Sequence, residues 1–172
     1  MSNKSARDIA IQVVLSPLIA VALVVLVPYI AVYGVFDFCN RHWLRTRFRR
    51  KWGPEGKSIL FVYSESPNWK DYIERQMIPK LSPYAVSLNY SRRAEWKHKK
   101  PLEAKIWEKW GGTREFNPMA IVIPDRGKVK TIRFYQAFRD YRHGKDHLLR
   151  QKEAELYNLV SQIKPADDRP DI

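Results

Sequence analysis

The feature that most constrains this chain is a run of 28 residues, Ile9 to Phe36, without one charged side chain. It reads IAIQVVLSPLIAVALVVLVPYIAVYGVF. A helix needs about 20 apolar residues to cross the hydrocarbon core of a bilayer, so the run is long enough even when tilted. Pro17 and Pro28 would break a helix in water, but a membrane helix tolerates proline because neighbouring groups re-satisfy the freed carbonyls. Tyr29, Tyr33, Phe36, Phe38 and Trp43 gather at one end, where an aromatic belt is expected. A cleaved secretory leader has an apolar stretch of roughly 7–15 residues, about half of this one. Length also disfavours a buried helix of a soluble core. The expectation is a transmembrane helix over 9–38.

The flanks orient it. Lys4, Arg7 and Asp8 precede the run, a net of +1. Arg41, Arg45, Arg47, Arg49, Arg50 and Lys51 follow it, six cations within eleven residues, with Asp37 the nearby acid. The positive-inside rule then places residues 1–8 outside and everything after the helix in the cytoplasm, a single-pass membrane topology. The same six cations can hold anionic lipid headgroups, each contributing on the order of 1 kcal/mol near the surface. Setting the topology is the simpler role. Cys39 at the boundary could carry an acyl chain, but more often such a cysteine is a small interfacial residue, and it is given no role.

The rest of the chain is a basic folding domain. Of 172 residues, 31 are Lys or Arg and 18 are Asp or Glu, a net charge of +13, and 45% are hydrophobic, which is not a disordered composition. One cysteine excludes an internal disulfide, a Cys-x-x-Cys redox pair and a multi-cysteine zinc site. Residues 39–56 read as a basic juxtamembrane segment and a linker ending in Trp52-Gly-Pro-Glu-Gly56. A domain is expected over 57–163, and 164–172 is a polar tail expected to be disordered. Within the domain, Ser58–Tyr63 suits a buried strand. Ser66 as N-cap and Pro67 then open a helix in which Trp69, Tyr72, Ile73, Met77 and Leu81 recur at helical spacing, closed by Pro79 and Pro83. Tyr84–Tyr90 alternates as a second strand. Pro101 opens a helix carrying Ile106, Trp107 and Trp110 on one side. Met119–Ile123 and Val129–Phe134 form a hairpin around Asp125-Arg-Gly-Lys128. A polar, aromatic connection over 135–145 leads to an amphipathic helix, Asp146–Ile163.

The fold class is thus α/β: an N-terminal transmembrane helix followed by a βαβαββα domain. Over about Lys57 to Ile163 this order resembles the thioredoxin-like fold. Ser64–Pro67 stands where that fold has its active-site loop, and Asn117-Pro118 stands directly before the third strand, where thioredoxins keep a cis-proline. The hairpin turn is also similar. In place of Cys-Gly-Pro-Cys the chain has Ser64-Glu65-Ser66-Pro67-Asn68-Trp69. Disulfide exchange needs a thiolate and a resolving thiol, so thiol-disulfide oxidoreductase activity is excluded. The resemblance implies a non-redox relative that binds peptides, proteins or other ligands.

Some chemistry remains open. Ser64, Glu65, Ser66, Pro67, Asn117 and Pro118 form a candidate ligand pocket, since ligands of α/β folds sit at strand ends and helix starts. Plain N-capping by Ser66 is the simpler reading of that loop. His42, His98, His143 and His147 show no metal spacing, and no cofactor is expected. No nucleophile elbow, Walker loop or dinucleotide fingerprint is present. Arg133 to Arg142, RFYQAFRDYR, offers a candidate interface in Arg133, Tyr135, Arg139 and Arg142, although its aromatics more often pack than bind. Trp96, Trp107 and Trp110 beside Lys97, Lys99, Lys100 and Lys105 make a second basic-aromatic patch, for headgroups or a protein.

The expected function is binding or scaffolding at the cytoplasmic membrane face, as an accessory subunit of a membrane complex. Membrane lipids, anionic headgroups included, and a membrane protein are the expected partners; nucleic acid rests on net charge alone. The competing reading is a membrane-bound enzyme. In it Glu65 is the acid or base, and Arg92, Arg93 or Arg133 holds a small anionic substrate.

Overall fold

The computed structural model describes residues 6–96, 98–112 and 117–163, with side chains described from Leu23 onward. Residues 1–5 and the tail 164–172 lie outside the described residues. The chain divides into two compact units, Met1–His42 and Trp43–Ile172. Helix α1, Ala6–Trp52, supplies most of the first and the opening of the second. From Leu23 to Phe36 every side chain is exposed, Val24 and Phe36 to 73% and 70%. The helix is long and apolar enough to cross a membrane, and it runs through Pro28 without a break. Further along, Arg41 Nε donates to Asp37 Oδ2 at 2.6 Å, one turn away.

The second unit is built on a four-stranded sheet: β1 (Ile59–Tyr63), β2 (Ala85–Asn89), β3 (Met119–Val122) and β4 (Lys130–Arg133). The spatial order is β2-β1-β3-β4. β1 pairs with β2 in parallel, whereas β3 is antiparallel to both β1 and β4. The two central strands, ILFVY and MAIV, are buried on both faces, which is why they read as unbroken apolar runs. The edge strands are more polar: Ser87, Lys130 and Arg133 are exposed. Gly127 supplies the positive φ (91°) in the loop joining β3 to β4. The Asn117–Pro118 peptide leading into β3 is cis.

Each face of the sheet has its own core. Ile59, Phe61, Ala120, Val122, Ile132 and Phe134 point to the first. There they meet α2 (Lys70–Tyr72), a π-helical turn (Ile73–Met77), α3 (Ile78–Leu81), α5 (Tyr135–Tyr141) and α6 (His147–Ile163) through Ile73, Met77, Leu81, Phe138, Leu149 and Leu156. Leu60, Val62, Leu88, Met119 and Ile121 point to the second, covered by α4 (Leu102–Trp110) and by Leu44 and Phe48 of α1. The domain is therefore a sheet between two helical layers, and one layer borrows the end of the long apolar helix.

Three local outcomes differ from the sequence reading. The segment read as juxtamembrane and linker, 39–56, is helical through Trp52 and then makes a 3-10 turn, Gly53–Glu55. The helix read over 68–81 starts at Lys70 and contains Pro79 in its last turn. Proline has no N–H to give back to the preceding turn, and next to it the Ile78 N–H reaches the Ile73 carbonyl, five residues back. The connection read over 135–145 contains helix α5, held by buried Ala137 and Phe138.

Candidate functional site

The β1–β3 register sets Val62 opposite Met119, so the loop after β1 and the Asn117-Pro118 loop share one end of the sheet. β2 ends there too, with Tyr63 opposite Asn89. The loop residues are tied to one another. Glu65 is exposed; its N–H donates to Ser91 Oγ at 2.9 Å, and its carboxylate accepts from Asn89 Nδ2 at 2.7 Å. Asn89 Oδ1 in turn accepts the Ser91 N–H at 3.0 Å. Ser66 acts through its backbone: its carbonyl accepts from Trp69 and Lys70 N–H at 3.2 and 2.9 Å, while its hydroxyl lies 3.4 Å from the Asn68 nitrogen. Trp69 Nε1 donates to the Ser64 carbonyl at 3.1 Å. Pro67 is exposed. This network closes a turn and latches β1 to β2. Burial, then Glu74 and Glu65, raise the phenol pKa of Tyr63 at the strand end.

Across the sheet, Asn117 is 6% exposed, and its Oδ1 has no hydrogen-bond partner among the described residues. The carbonyl of buried Pro118 accepts from Phe134 N–H at 2.8 Å. Arg133 does not stand free: its Nη2 donates to the Gly111 carbonyl at 2.6 Å and ties β4 to the end of α4.

A cavity of about 320 Å³ opens beside this loop, on the first face, and takes only Pro67 from the expected pocket. Trp69, Tyr72 and Tyr141 supply its rings, and Asp71, Arg75 and Gln76 its polar wall. Tyr72 and Tyr141 meet edge to face at 5.4 Å between centroids, and Trp69 meets Tyr135 in the same way at 6.0 Å. Tyr72 is pinned from behind, its hydroxyl donating to Glu153 Oε1 at 2.8 Å. Burial, followed by that hydrogen bond, pushes its phenol pKa well above the ordinary range. Tyr135 and Arg139 of α5 and Arg142 at its C-terminal cap are exposed near Tyr141, while Phe134 and Phe138 are fully buried. The RFYQAFRDYR stretch thus divides into the buried rings of Phe134 and Phe138, an Arg133 tied to Gly111, and the exposed Tyr135, Arg139, Tyr141 and Arg142. Sequence reasoning named Tyr135, Arg139 and Arg142 but placed Trp69 and Tyr72 only by their helical spacing, so it missed the cavity they make with Tyr141.

The six cations after the apolar run divide as well. Arg45 donates to the Gly127, Pro124 and Asp125 carbonyls at 2.9, 2.7 and 2.9 Å. Arg49 donates to the Asp125 carbonyl at 2.9 Å and pairs with the Asp125 carboxylate. Lys51 Nζ and Trp52 Nε1 both donate to Glu103 Oε1, at 2.8 and 2.7 Å. Glu103 is 6% exposed. Burial raises its pKa, but the hydrogen bonds from Lys51, its own backbone and Trp52 outweigh that and hold it below the ordinary carboxylate value. Arg47 and Arg50 face outward.

The chain matches no family model, and no curated protein or solved structure is significantly similar to it.

Proposed function

We propose that this protein is a single-pass membrane protein whose C-terminal domain is a non-redox, thioredoxin-like binding module on the cytoplasmic face. The observation that carries the reading is the two-fold use of α1. Its apolar stretch keeps every side chain from Leu23 to Phe36 exposed, while its last turns bury Leu44 and Phe48 in the domain core. An apolar helix uncovered on all sides calls for lipid as its solvent. The strand and helix order along the chain, with α5 added before the last helix, supports the thioredoxin-like reading. The six-cation flank supports the orientation.

The binding surface of this module is the cavity at Trp69, Tyr72 and Tyr141 together with Tyr135 and Arg139 of α5 and Arg142 at its end. Tyr, Trp and Arg are the residues that anchor protein interfaces. The accessible arginines suit a partner with acidic side chains, and the partner of the reading is a membrane protein. The enzyme reading has less support, because Glu65 and Ser66 are both engaged in the turn.

Alkaline extraction followed by protease protection of sealed native vesicles tests the anchoring. The chain should stay in the membrane pellet, and the domain should be cut only when the cytoplasmic side is open. Recovery in the soluble fraction would overturn the reading. Mild-detergent capture of the tagged full chain tests the binding. A stoichiometric membrane partner should be lost from Tyr141→Ala/Arg139→Glu, and capture unaffected by that pair would remove the surface.

A further inference from the structure

Of the six cations after the apolar run, Arg45, Arg49 and Lys51 are held by the domain and Arg41 by Asp37. Arg47 and Arg50 have no acidic partner among the described residues. With Trp43 they stand at positions i, i+4 and i+7, one face of a helix. At about 100° per residue that face is turned about 130° round the helix from the one carrying Leu44, Phe48 and Trp52. Trp43 is 46% exposed, and the Arg47 guanidinium lies 4.8 Å from its ring centroid. Helical side chains lean toward the N-terminus, so Arg47 reaches back over Trp43, toward the apolar stretch. Trp43 itself follows Phe38 by five residues, less than two turns.

We propose that Trp43, Arg47 and Arg50 form a docking stripe for the headgroup of an anionic phospholipid. The inference rests on the membrane-anchored reading. A tryptophan this close to the end of an apolar segment belongs at headgroup depth, where its ring is half apolar and its N–H is wet. Two guanidinium groups without counter-charges present planar forks that match phosphate oxygens two at a time. The lipid carries net negative charge because a zwitterionic headgroup would bring its own cation against them. The stripe is therefore a lipid contact, distinct from Arg45 and Arg49, one or two positions away, which hold the domain together.

The full chain reconstituted in nanodiscs of phosphatidylcholine with a minority of phosphatidylglycerol tests this, with native mass spectrometry counting the retained lipids by class. The wild type should retain phosphatidylglycerol in excess of its share. Arg47→Gln/Arg50→Gln should lose that enrichment by about tenfold while unfolding at the wild-type temperature. Arg45→Gln/Arg49→Gln should keep the enrichment and unfold earlier, and Arg47→Lys/Arg50→Lys should restore part of it. Unchanged enrichment in the Arg47→Gln/Arg50→Gln chain would overturn the stripe, as would a preference for phosphatidylcholine. A chain that does not enter the discs at all would overturn the anchored reading itself, which separates the two failures.

Discussion

Phe36 and Phe48 stand twelve residues apart in one helix, and their surroundings could hardly differ more. Phe36 is 70% exposed at the end of a run without a charged side chain, whereas Phe48 is fully buried in a stretch that carries Arg45, Arg47, Arg49, Arg50 and Lys51. Local hydrophobicity therefore predicts burial in the wrong direction when the two ends of α1 are compared. The first end is uniform around the helix and leaves the choice of solvent to the surroundings. The second end is amphipathic: Leu44, Phe48 and Trp52 repeat every four residues on one side, and the charges between them either hydrogen-bond around the packed stripe or face water.

The largest effect that would break this contrast is a truncation at the buried position. Phe48→Ala removes a fully buried ring from the second core and should destabilise the domain by about 3–5 kcal/mol. Phe36→Ala should leave domain unfolding unchanged. Chemical unfolding of the detergent-solubilised full chain, followed by tryptophan fluorescence, measures both. Equal unfolding curves for the two variants would mean that the end of α1 lies against the sheet without holding it.

A middle-sized effect comes from Glu103, whose carboxylate receives Lys51 and Trp52. Lys51 is half exposed, so solvent screens the pair, and Lys51→Ala should cost about 1–2 kcal/mol, much of it for leaving Glu103 short of a partner. The folded-state pKa of Glu103 is depressed from its ordinary value of 4.5. Its contribution is therefore complete above pH 4.5 and is lost as pH falls through the lower, folded value. Wild-type stability should drop through that acid window, and Glu103→Gln should flatten this part of the profile. An acid slope identical in wild type and Glu103→Gln would place the titrating group elsewhere.

How much of this was legible in the sequence follows from the same contrast. The apolar run, the four strands and the last helix announce themselves by period or by length, because each is decided within a window of its own residues. The end of α1 does not: Arg and Lys at 45, 47, 49, 50 and 51 mask a three-residue apolar stripe, and its partner strands lie at 59–63 and 119–122. Helix α5 is short, with only Ala137 and Phe138 buried to mark its face, too few to establish a period. The cavity is less legible still, since Trp69 and Tyr72 show a core-like spacing and become its walls only where Tyr141 arrives from α5. The loops of the expected pocket stand at one end of the sheet. What local pattern could not supply was the Asn89–Ser91 side of the latch, which comes from a different strand.

The smallest effect is also the sharpest, because it compares neighbours of identical chemistry. Arg45 and Arg47 are two residues apart, both arginine, both within the basic flank. Arg45 donates to three carbonyls around the β3–β4 loop. Arg45→Ala should cost about 1 kcal/mol, because a charged donor is withdrawn from three carbonyls, of which the part-buried one of Pro124 is only partly open to water. Arg47→Ala removes an exposed cation that lies over the Trp43 ring and should change unfolding by less than about 0.5 kcal/mol. A charge-count view of the flank predicts equal effects from the two, through the lost charge alone. Unequal unfolding with equal net charge would show that the flank is two structures interleaved on one helix, one facing the sheet and the other facing away. Equal unfolding would return all six cations to a single role outside the fold.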